Sequence, residues 1–329
     1  MKINIPVAGN FPFLTSPIAN HGPNAAKALQ SVSLAGQNKT AVIVGGTSGI
    51  GAAVARSLAK LGCSKIIISG RNEARGTAVL EVLRGLAPKG TKIDAQYVKV
   101  DVSDTQGMRA AAEALQKAAG DAGMDYLVMS QNGVPTGTMN KNADGYESGF
   151  ALQAISRFAL MYLLTTRGAL APNAAVMSVC NQGQSLDDLS VDDLSLEGQF
   201  TAGLSKTTFF MNQSKRDSSV IDAFYEEFNI RYPQYRYFHL YPGLVNTEDF
   251  DYNLFPGFLK YGAWLGMKLI GTTPDQYANL PVYVLTAPPE STKDRYFTST
   301  LAPGTLGKWA ADKGNREALW PKLLDIIGE

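Results

Sequence analysis

The segment that most constrains this chain runs from Thr40 to Leu61, TAVIVGGTSGIGAAVARSLAKL. Thr40–Val44 is rich in β-branched residues, which suit a pleated strand, and Gly45-Gly46 stops it. Beyond Thr47-Ser48-Gly49-Ile50-Gly51, the apolar residues Val54, Ala55, Leu58 and Leu61 recur at helical spacing. A buried strand, a tight glycine turn and a helix whose free N–H groups face that turn form an anion site suited to a dinucleotide pyrophosphate. Gly45 permits the turn, Gly49 lets backbone approach phosphate, and Gly51 lets helix pack closely on strand.

The rest of the chain repeats that alternation. Strands are predicted at Lys65–Ser69, Ala95–Val100, Tyr126–Met129, Ala174–Val179 and Tyr237–Tyr241. Between them lie helices ending near Leu86, over Met108–Ala119, over Gly149–Leu164 and within Lys206–Phe228. Short apolar strands alternating with helices predict an α/β, Rossmann-like doubly wound parallel sheet in three α/β/α layers, as a single domain over residues 39–329. Residues 1–38 read as an N-terminal extension, broken by Pro6, Pro12, Pro17 and Pro23, with a short helix only within Ala25–Leu34. The Asp-rich stretch Asp187–Asp193 and a substrate-loop segment at about 248–272 read as insertions above the strand ends.

Composition excludes several classes. Thirty basic residues against 29 acidic ones give no bulk pull toward nucleic acid. Two cysteines, Cys63 and Cys180, make neither a disulfide framework nor a metal cluster and fit a reducing, cytoplasmic setting. The start, MKINIPVAGNFPF, lacks the unbroken apolar run of a secretory signal. Leu254–Ile270 carries Lys260, Lys268, a proline and several glycines, and reads as buried or lid-like rather than as a membrane span. No P-loop, G-x-S-x-G elbow or H-E-x-x-H occurs, which leaves NTPase, hydrolase and zinc-protease readings without support.

Over about Lys39–Glu290 the sequence resembles the short-chain dehydrogenase/reductase family, and its style resembles divergent fungal members. Three signals carry the resemblance. The first is Val44-Gly45-Gly46-Thr47-Ser48-Gly49-Ile50-Gly51, which lacks only the threonine of the family's T-G-x-x-x-G-x-G opening. The second is Asp101-Val102 after the third strand, which in relatives brackets the adenine. The third is Pro242-Gly243-Leu244-Val245-Asn246-Thr247, whose P-G-x-V-x-T form contacts the nicotinamide amide in relatives. The family's N-N-A-G cofactor support becomes Ser130-Gln131-Asn132-Gly133. Cofactor choice follows from charge. A carboxylate at the end of the second strand would repel a 2′-phosphate, whereas Arg71, followed by Asn72, supplies a guanidinium that would bind one, favouring NADP(H).

The catalytic positions depart from the family. The slot of the water-holding asparagine falls on Gln153, which reads equally as helix surface. The serine slot after the fifth strand falls on Cys180 or Asn181, depending on where the glycine is aligned. Asn181 could donate a hydrogen bond to a carbonyl, while Cys180 reads as a packed thiol with no histidine near it in sequence. Lys215, with the family's spacing to Pro242, takes the lysine slot and would place Met211 at the tyrosine slot; a more divergent register gives Thr208 and Asn212. Lys206 would put Ala202 there, and Lys260 lies beyond the turn. No register supplies a tyrosine. Tyr162, Tyr225, Tyr241, Lys215 itself, Asp187 and Asp188 are the other groups that could move a proton, and His239, inside a strand, reads as structural.

The resemblance therefore implies an NADP(H)-dependent oxidoreductase with an atypical proton source. Phe250, Tyr252, Phe255, Phe258, Tyr261 and Trp264 would line a pocket for a bulky, mostly apolar carbonyl, enone or iminium substrate, or else form an oligomer contact or ordinary core. The alternatives are a non-redox isomerase or cyclase on the same scaffold, or a cofactor-binding protein without activity. A small-molecule substrate and a possible homo-oligomer are the expected partners, with no nucleic acid, metal or integral membrane segment.

Overall fold

The computed structural model describes residues 23–133, 135–247, 259–291 and 294–329. Its centre is a seven-stranded sheet in the order β3-β2-β1-β4-β5-β6-β7, every neighbouring pair parallel. The strands are β1 (Thr40–Val44), β2 (Lys65–Gly70), β3 (Asp94–Lys99), β4 (Met124–Met129), β5 (Leu170–Val179), β6 (Arg236–Leu240) and β7 (Tyr296–Phe297). The helices α1 (Pro23–Leu29), α2 (Gly49–Lys60), α3 (Glu73–Gly85) and α4 (Thr105–Ala119) accompany the first half. Then follow α5 (Ser148–Phe150), a π-turn (Ala151–Ile155), α6 (Ser156–Thr166), α7 (Glu197–Thr201) and α8 (Lys206–Arg231). The remainder are α9 (Leu259–Ile270), α10 (Pro274–Thr286), α11 (Lys308–Ala311) and α12 (Lys313–Ile327).

Strand residues alternate between two cores because successive side chains leave opposite faces of a pleated strand. Val42 and Val44 face one core with Met108, Leu115, Phe158, Phe224, Phe228 and Trp320. Ala41 and Ile43 face the other with Leu58, Ile66, Ile68, Phe238, Leu280 and Leu285. Helices on both faces give the three-layer single domain expected. The chain winds outward from β1 in both directions, so the β1/β4 pair is the topological switch point, where crevices open at the strand ends.

Several elements differ from expectation. β5 begins four residues early, at Leu170, because Pro172 and Asn173 are carried in a register shift against β4 rather than ending the strand. Asn173 takes φ 60°, a left-handed value asparagine tolerates. β7 is only two residues long, too short to carry a period. The expected Gly149–Leu164 helix is interrupted by the π-turn. Of the extension, residues 1–22 lie outside the described residues, and the helix starts at Pro23 with Ala25 and Leu29 buried. Within Leu254–Ile270, Tyr261 is 66% exposed, Trp264 43% and Leu265 50%, which corrects the buried reading for that face of α9. Phe250, Tyr252, Phe255 and Phe258 lie outside the described residues.

Candidate active site

The glycine turn is closed against the end of β4. At Gly45, with φ +80°, a Cβ would stand 2.6 Å from the Gln131 nitrogen, and at Gly51 it would collide with Gly45 O and Ser130 Oγ. Only glycine lets the backbone pass there. Ser130 fixes the contact, its N–H donating to Val44 O at 2.9 Å and its hydroxyl to Val44 O and Gly45 O at 3.2 Å each. Gly49 opens α2, and a Cβ on it would meet Thr247 Cγ2 at 3.3 Å, so the Pro242–Thr247 turn stands over the helix N-terminus. Thr47 packs under Gly70, and Ile50 lies half-buried beside it on α2. Residues distant in sequence thus meet at the glycine turn. Earlier in the Pro242–Thr247 turn, Gly243 has φ +67° and packs against Ser299, and the Val245 side chain is buried.

Arg71 follows β2 directly and is exposed; among the described residues its guanidinium forms no hydrogen bond or ion pair. Asn72 is engaged as the α3 N-cap, its Oδ1 accepting from Arg75 N at 3.0 Å. Asp101 is exposed and turns its Oδ1 onto Ser103 N at 3.1 Å, while Val102 is buried.

At the ends of β4 and β5, Gln153 and Cys180 belong to one buried polar knot. Gln153, in the π-turn, is buried: its Oε1 accepts from Gly133 N at 2.9 Å and its Nε2 donates to Cys180 Sγ at 2.8 Å. π-Turns inside helices occur often at functional sites because they re-aim one side chain. Arg157, which sequence reasoning did not single out, holds the knot together. Its NH1 donates to Gln153 O at 2.5 Å and its NH2 to Gln131 O at 2.6 Å, with Val179 O at 3.4 Å. Desolvation lowers its pKa, with Cys180, Tyr225 and Asp217 opposing. A buried arginine four residues after Gln153 on an otherwise apolar helix was the available sequence signal. Gln131 is buried and donates to Ser156 Oγ at 3.1 Å, while Asn132 is exposed.

The two candidates for the serine slot point apart. Cys180 faces Gln153, whereas Asn181 Nδ2 donates to Ser214 Oγ at 3.0 Å and Asn181 O accepts from Ser218. The helix therefore presents Ser214, not Lys215, to Asn181. Lys215 is half-buried, its Nζ forms no hydrogen bond or ion pair among the described residues, and its charge adds to the Ser185 and Lys308 contacts that lower Asp187. Met211 is half-buried, Thr208 bonds Ser205 at the start of α8, and Asn212 donates to Gln199 at 2.8 Å. No tyrosine hydroxyl reaches Lys215 among the described residues. Tyr225 donates to Ser178 Oγ at 2.7 Å, fully buried, and burial raises its pKa. Tyr162 packs on Phe158 and Trp320, and Tyr241 follows β6 with its pKa raised by burial. Asp187 pairs with Lys308 at 3.2 Å on the surface. His239 Nδ1 bonds Asp222 Oδ1 at 2.7 Å in the core.

Comparison with known proteins agrees with this geometry. The short chain dehydrogenase family profile matches residues 39–163. Oxidoreductase AN1596 of Emericella nidulans is 30% identical over 236 residues, 70% of this chain and 66% of that one. The chain belongs to the short-chain dehydrogenase/reductase family. It spans about two thirds of the length of that relative. Among solved structures, a short-chain dehydrogenase from Burkholderia cenocepacia in complex with NADP superposes with TM-score 0.57 at 18% identity, over 84% of this chain and 98% of that one. The MalC reductase/Diels-Alderase from Malbranchea aurantiaca superposes with TM-score 0.56 at 16% identity, over 82% and 96%. Both share the short-chain dehydrogenase/reductase fold seen here. Among the described residues no helix is long and apolar enough to cross a membrane, and no cluster of His, Cys, Asp and Glu could hold a metal ion.

Proposed function

We propose that the protein is an NADP(H)-dependent reductase of a bulky, mostly apolar carbonyl, enone or iminium compound, with an atypical proton source. The observation that carries this reading is the glycine turn, where a Cβ on Gly45 or Gly51 would collide with Ser130–Gln131 and one on Gly49 would press on Thr247, with Arg71 at the end of β2 forming no hydrogen bond or ion pair among the described residues. That cradle fits a dinucleotide: Gly45–Gly51 and the α2 N-terminus would hold the pyrophosphate, and Arg71 with Asn72 would face the 2′-phosphate. Asp101-Val102 would border the adenine, and Gln131–Gly133, Pro242, Gly243, Val245 and Thr247 would border the nicotinamide end. Bound there, the cofactor supplies hydride. Asn181 would donate a hydrogen bond to the acceptor oxygen, Gln153 would support the site from below, and Lys215 is the remaining candidate cation for the nicotinamide ribose. The NADP complex of the Burkholderia structure supports the choice of cofactor.

Titration of the protein with NADPH and NADH, followed by fluorescence, tests the cofactor; NADPH is expected to bind at least ~10-fold tighter, since charge-assisted bonds to one phosphate are worth that much. Stopped-flow oxidation of bound NADPH against ketones, enones and iminium ions tests the chemistry. Failure of NADPH to bind would end the redox reading. Binding without oxidation by any acceptor would favour non-redox chemistry on this scaffold, a reading that the double description of MalC as reductase and Diels-Alderase also supports.

A further inference from the structure

Asn132 and Gly133 are the one Asn-Gly pair in the chain. Asn132 is exposed, and its side-chain amide forms no hydrogen bond among the described residues. Gly133 is buried, and a Cβ on it would stand 2.4 Å from Gly149 O and 3.1 Å from Gln153 N and Leu152 Cβ. Only glycine fits there. The fold thus requires, just past β4, the one residue type that leaves its own backbone nitrogen unshielded. That nitrogen can close a five-membered ring on the side-chain carbonyl carbon of the residue before it, and the reaction needs no second molecule to approach.

One hydrogen bond stands in the way. Gly133 N–H donates to Gln153 Oε1 at 2.9 Å. The nitrogen must give up this hydrogen to attack, so the bond has to break first. Gln153 is itself held from other sides. Its Nε2 donates to Cys180 Sγ at 2.8 Å, and Arg157 NH1 reaches both its backbone oxygen and, at 3.3 Å, Oε1. The acceptor therefore sits locked in the π-turn, against the nitrogen it covers.

We infer that Asn132-Gly133 is a deamidation site of this chain and that Gln153 is the residue that guards it. In the unguarded segment Gly133 N bonds to Asn132 Cγ and the Cγ–Nδ2 bond breaks. Ammonia leaves with the hydrogen that Gly133 N gives up. The succinimide then takes up one water at either carbonyl, giving aspartate or isoaspartate, and nothing is oxidised or reduced. Either product puts a carboxylate into the segment that Arg157 anchors through Gln131 O, and isoaspartate adds a backbone carbon as well. Only the effect on the cofactor rests on the reading proposed above, in which Gln131–Gly133 borders the dinucleotide.

The test incubates the full chain at mildly alkaline pH and follows the Asn132 peptide by mass spectrometry, with chromatography separating aspartate from isoaspartate. Native wild type is expected to convert at least ~10-fold more slowly than the chain in urea, the factor that one lost hydrogen bond supplies. Gln153→Met keeps the length of the side chain without the acceptor and should convert at least ~10-fold faster than wild type while still melting cooperatively. Gln153→Glu keeps an acceptor and should stay near the wild-type rate. Amide hydrogen exchange at Gly133, slow in wild type, gives a reading that needs no variant. Equal conversion in wild type and folded Gln153→Met, or fast exchange at Gly133 in a wild type that converts slowly, would overturn the guard. Conversion in urea no faster than at the other asparagines would overturn the site. Asn132→Asp carries the charge of the product and is expected to bind NADPH at least ~10-fold more weakly than Asn132→Ser, because a carboxylate repels the anionic dinucleotide. Equal affinities would overturn the effect on the cofactor. A wild type that binds no NADPH would end the cofactor reading, while the conversion rates would still decide the guard.

Discussion

Gln153 and Cys180, 27 positions apart in sequence, are joined by a 2.8 Å bond from the amide nitrogen to the sulfur, and the same amide's oxygen holds Gly133 N at 2.9 Å. One side chain therefore ties the ends of β4 and β5 together from a π-turn. The tie depends on Arg157, which binds both the backbone oxygen of Gln153 and that of Gln131. Four carbonyl-type acceptors converge on this guanidinium, and among the described residues no carboxylate forms an ion pair with it.

Arg157→Met keeps the volume and removes the donors. The buried carbonyls of Gln131 and Gln153 then lose these charged donors, at a cost of about 2–4 kcal/mol, less whatever is regained by no longer burying a charge. Urea unfolding should show the loss as a lower midpoint at unchanged slope, together with weaker NADPH binding because the Gln131–Gly133 segment loses its anchor. An unchanged midpoint would mean that the buried guanidinium stabilises nothing.

Gly51→Ala places a methyl group against Gly45 O and Ser130 Oγ, neither of which can retreat without opening the turn. NADPH affinity is expected to fall at least ~10-fold, with stability falling by about 1–3 kcal/mol from the strain of overpacking. Gly85→Ala is the matched control. Gly85 ends α3 with nothing within 4 Å of its added Cβ, so the change should be neutral or slightly stabilising. Isothermal titration and thermal melts of the two variants separate site geometry from a general intolerance of alanine.

Arg71→Glu reverses the charge at the end of β2 without touching any hydrogen bond among the described residues. NADPH should bind ~10–100-fold more weakly and NADH about as before or tighter, while the melting temperature stays put. The NADPH affinity of the wild type should also fall with salt more steeply than that of the variant. Parallel losses for both cofactors would place the 2′-phosphate elsewhere.

What the sequence made legible is what depends on local pattern. The strand–turn–helix of Thr40–Leu61 shows its period, its stop and its glycines within a single window, and β1 with α2 lies within a residue or two of where it was expected. The knot around Cys180 was not legible for a reason of geometry. Gln153 meets Cys180 across 27 positions, and Asp222 on α8 meets His239 on β6, contacts between elements that leave no periodic trace. Gln153 showed only an amide on a helix; the π-turn that buries it is invisible to a 3.6-residue period. Spacing to Pro242 picks Lys215, and because a helix turns about 100° per residue its neighbour Ser214 is the one that meets Asn181, a contact spacing alone does not reveal.

Asp217 gives the fold a pH dependence whose sign can be stated. Its carboxyl is buried beside Arg216, whose Nε donates to it at 2.7 Å while NH2 of the same guanidinium serves Glu147 at 2.8 Å. One cation is thus shared by two buried carboxylates. Burial pushes the Asp217 pKa up to about 6, with Glu147 adding to the rise and Arg216 opposing it. The native state therefore holds this proton more tightly than the unfolded chain. The resulting stability is fully present below the unfolded value near pH 4 and is lost as pH rises through about 6. The loss is on the order of 2–3 kcal/mol if the shift is fully expressed. Asp217→Asn keeps an oxygen for Arg216 Nε and removes the titration. The variant should melt at a higher temperature than wild type at pH 7.5, and the two should converge by pH 5. Identical pH profiles for wild type and variant between pH 5 and 7.5 would show that Arg216 keeps Asp217 charged throughout that range.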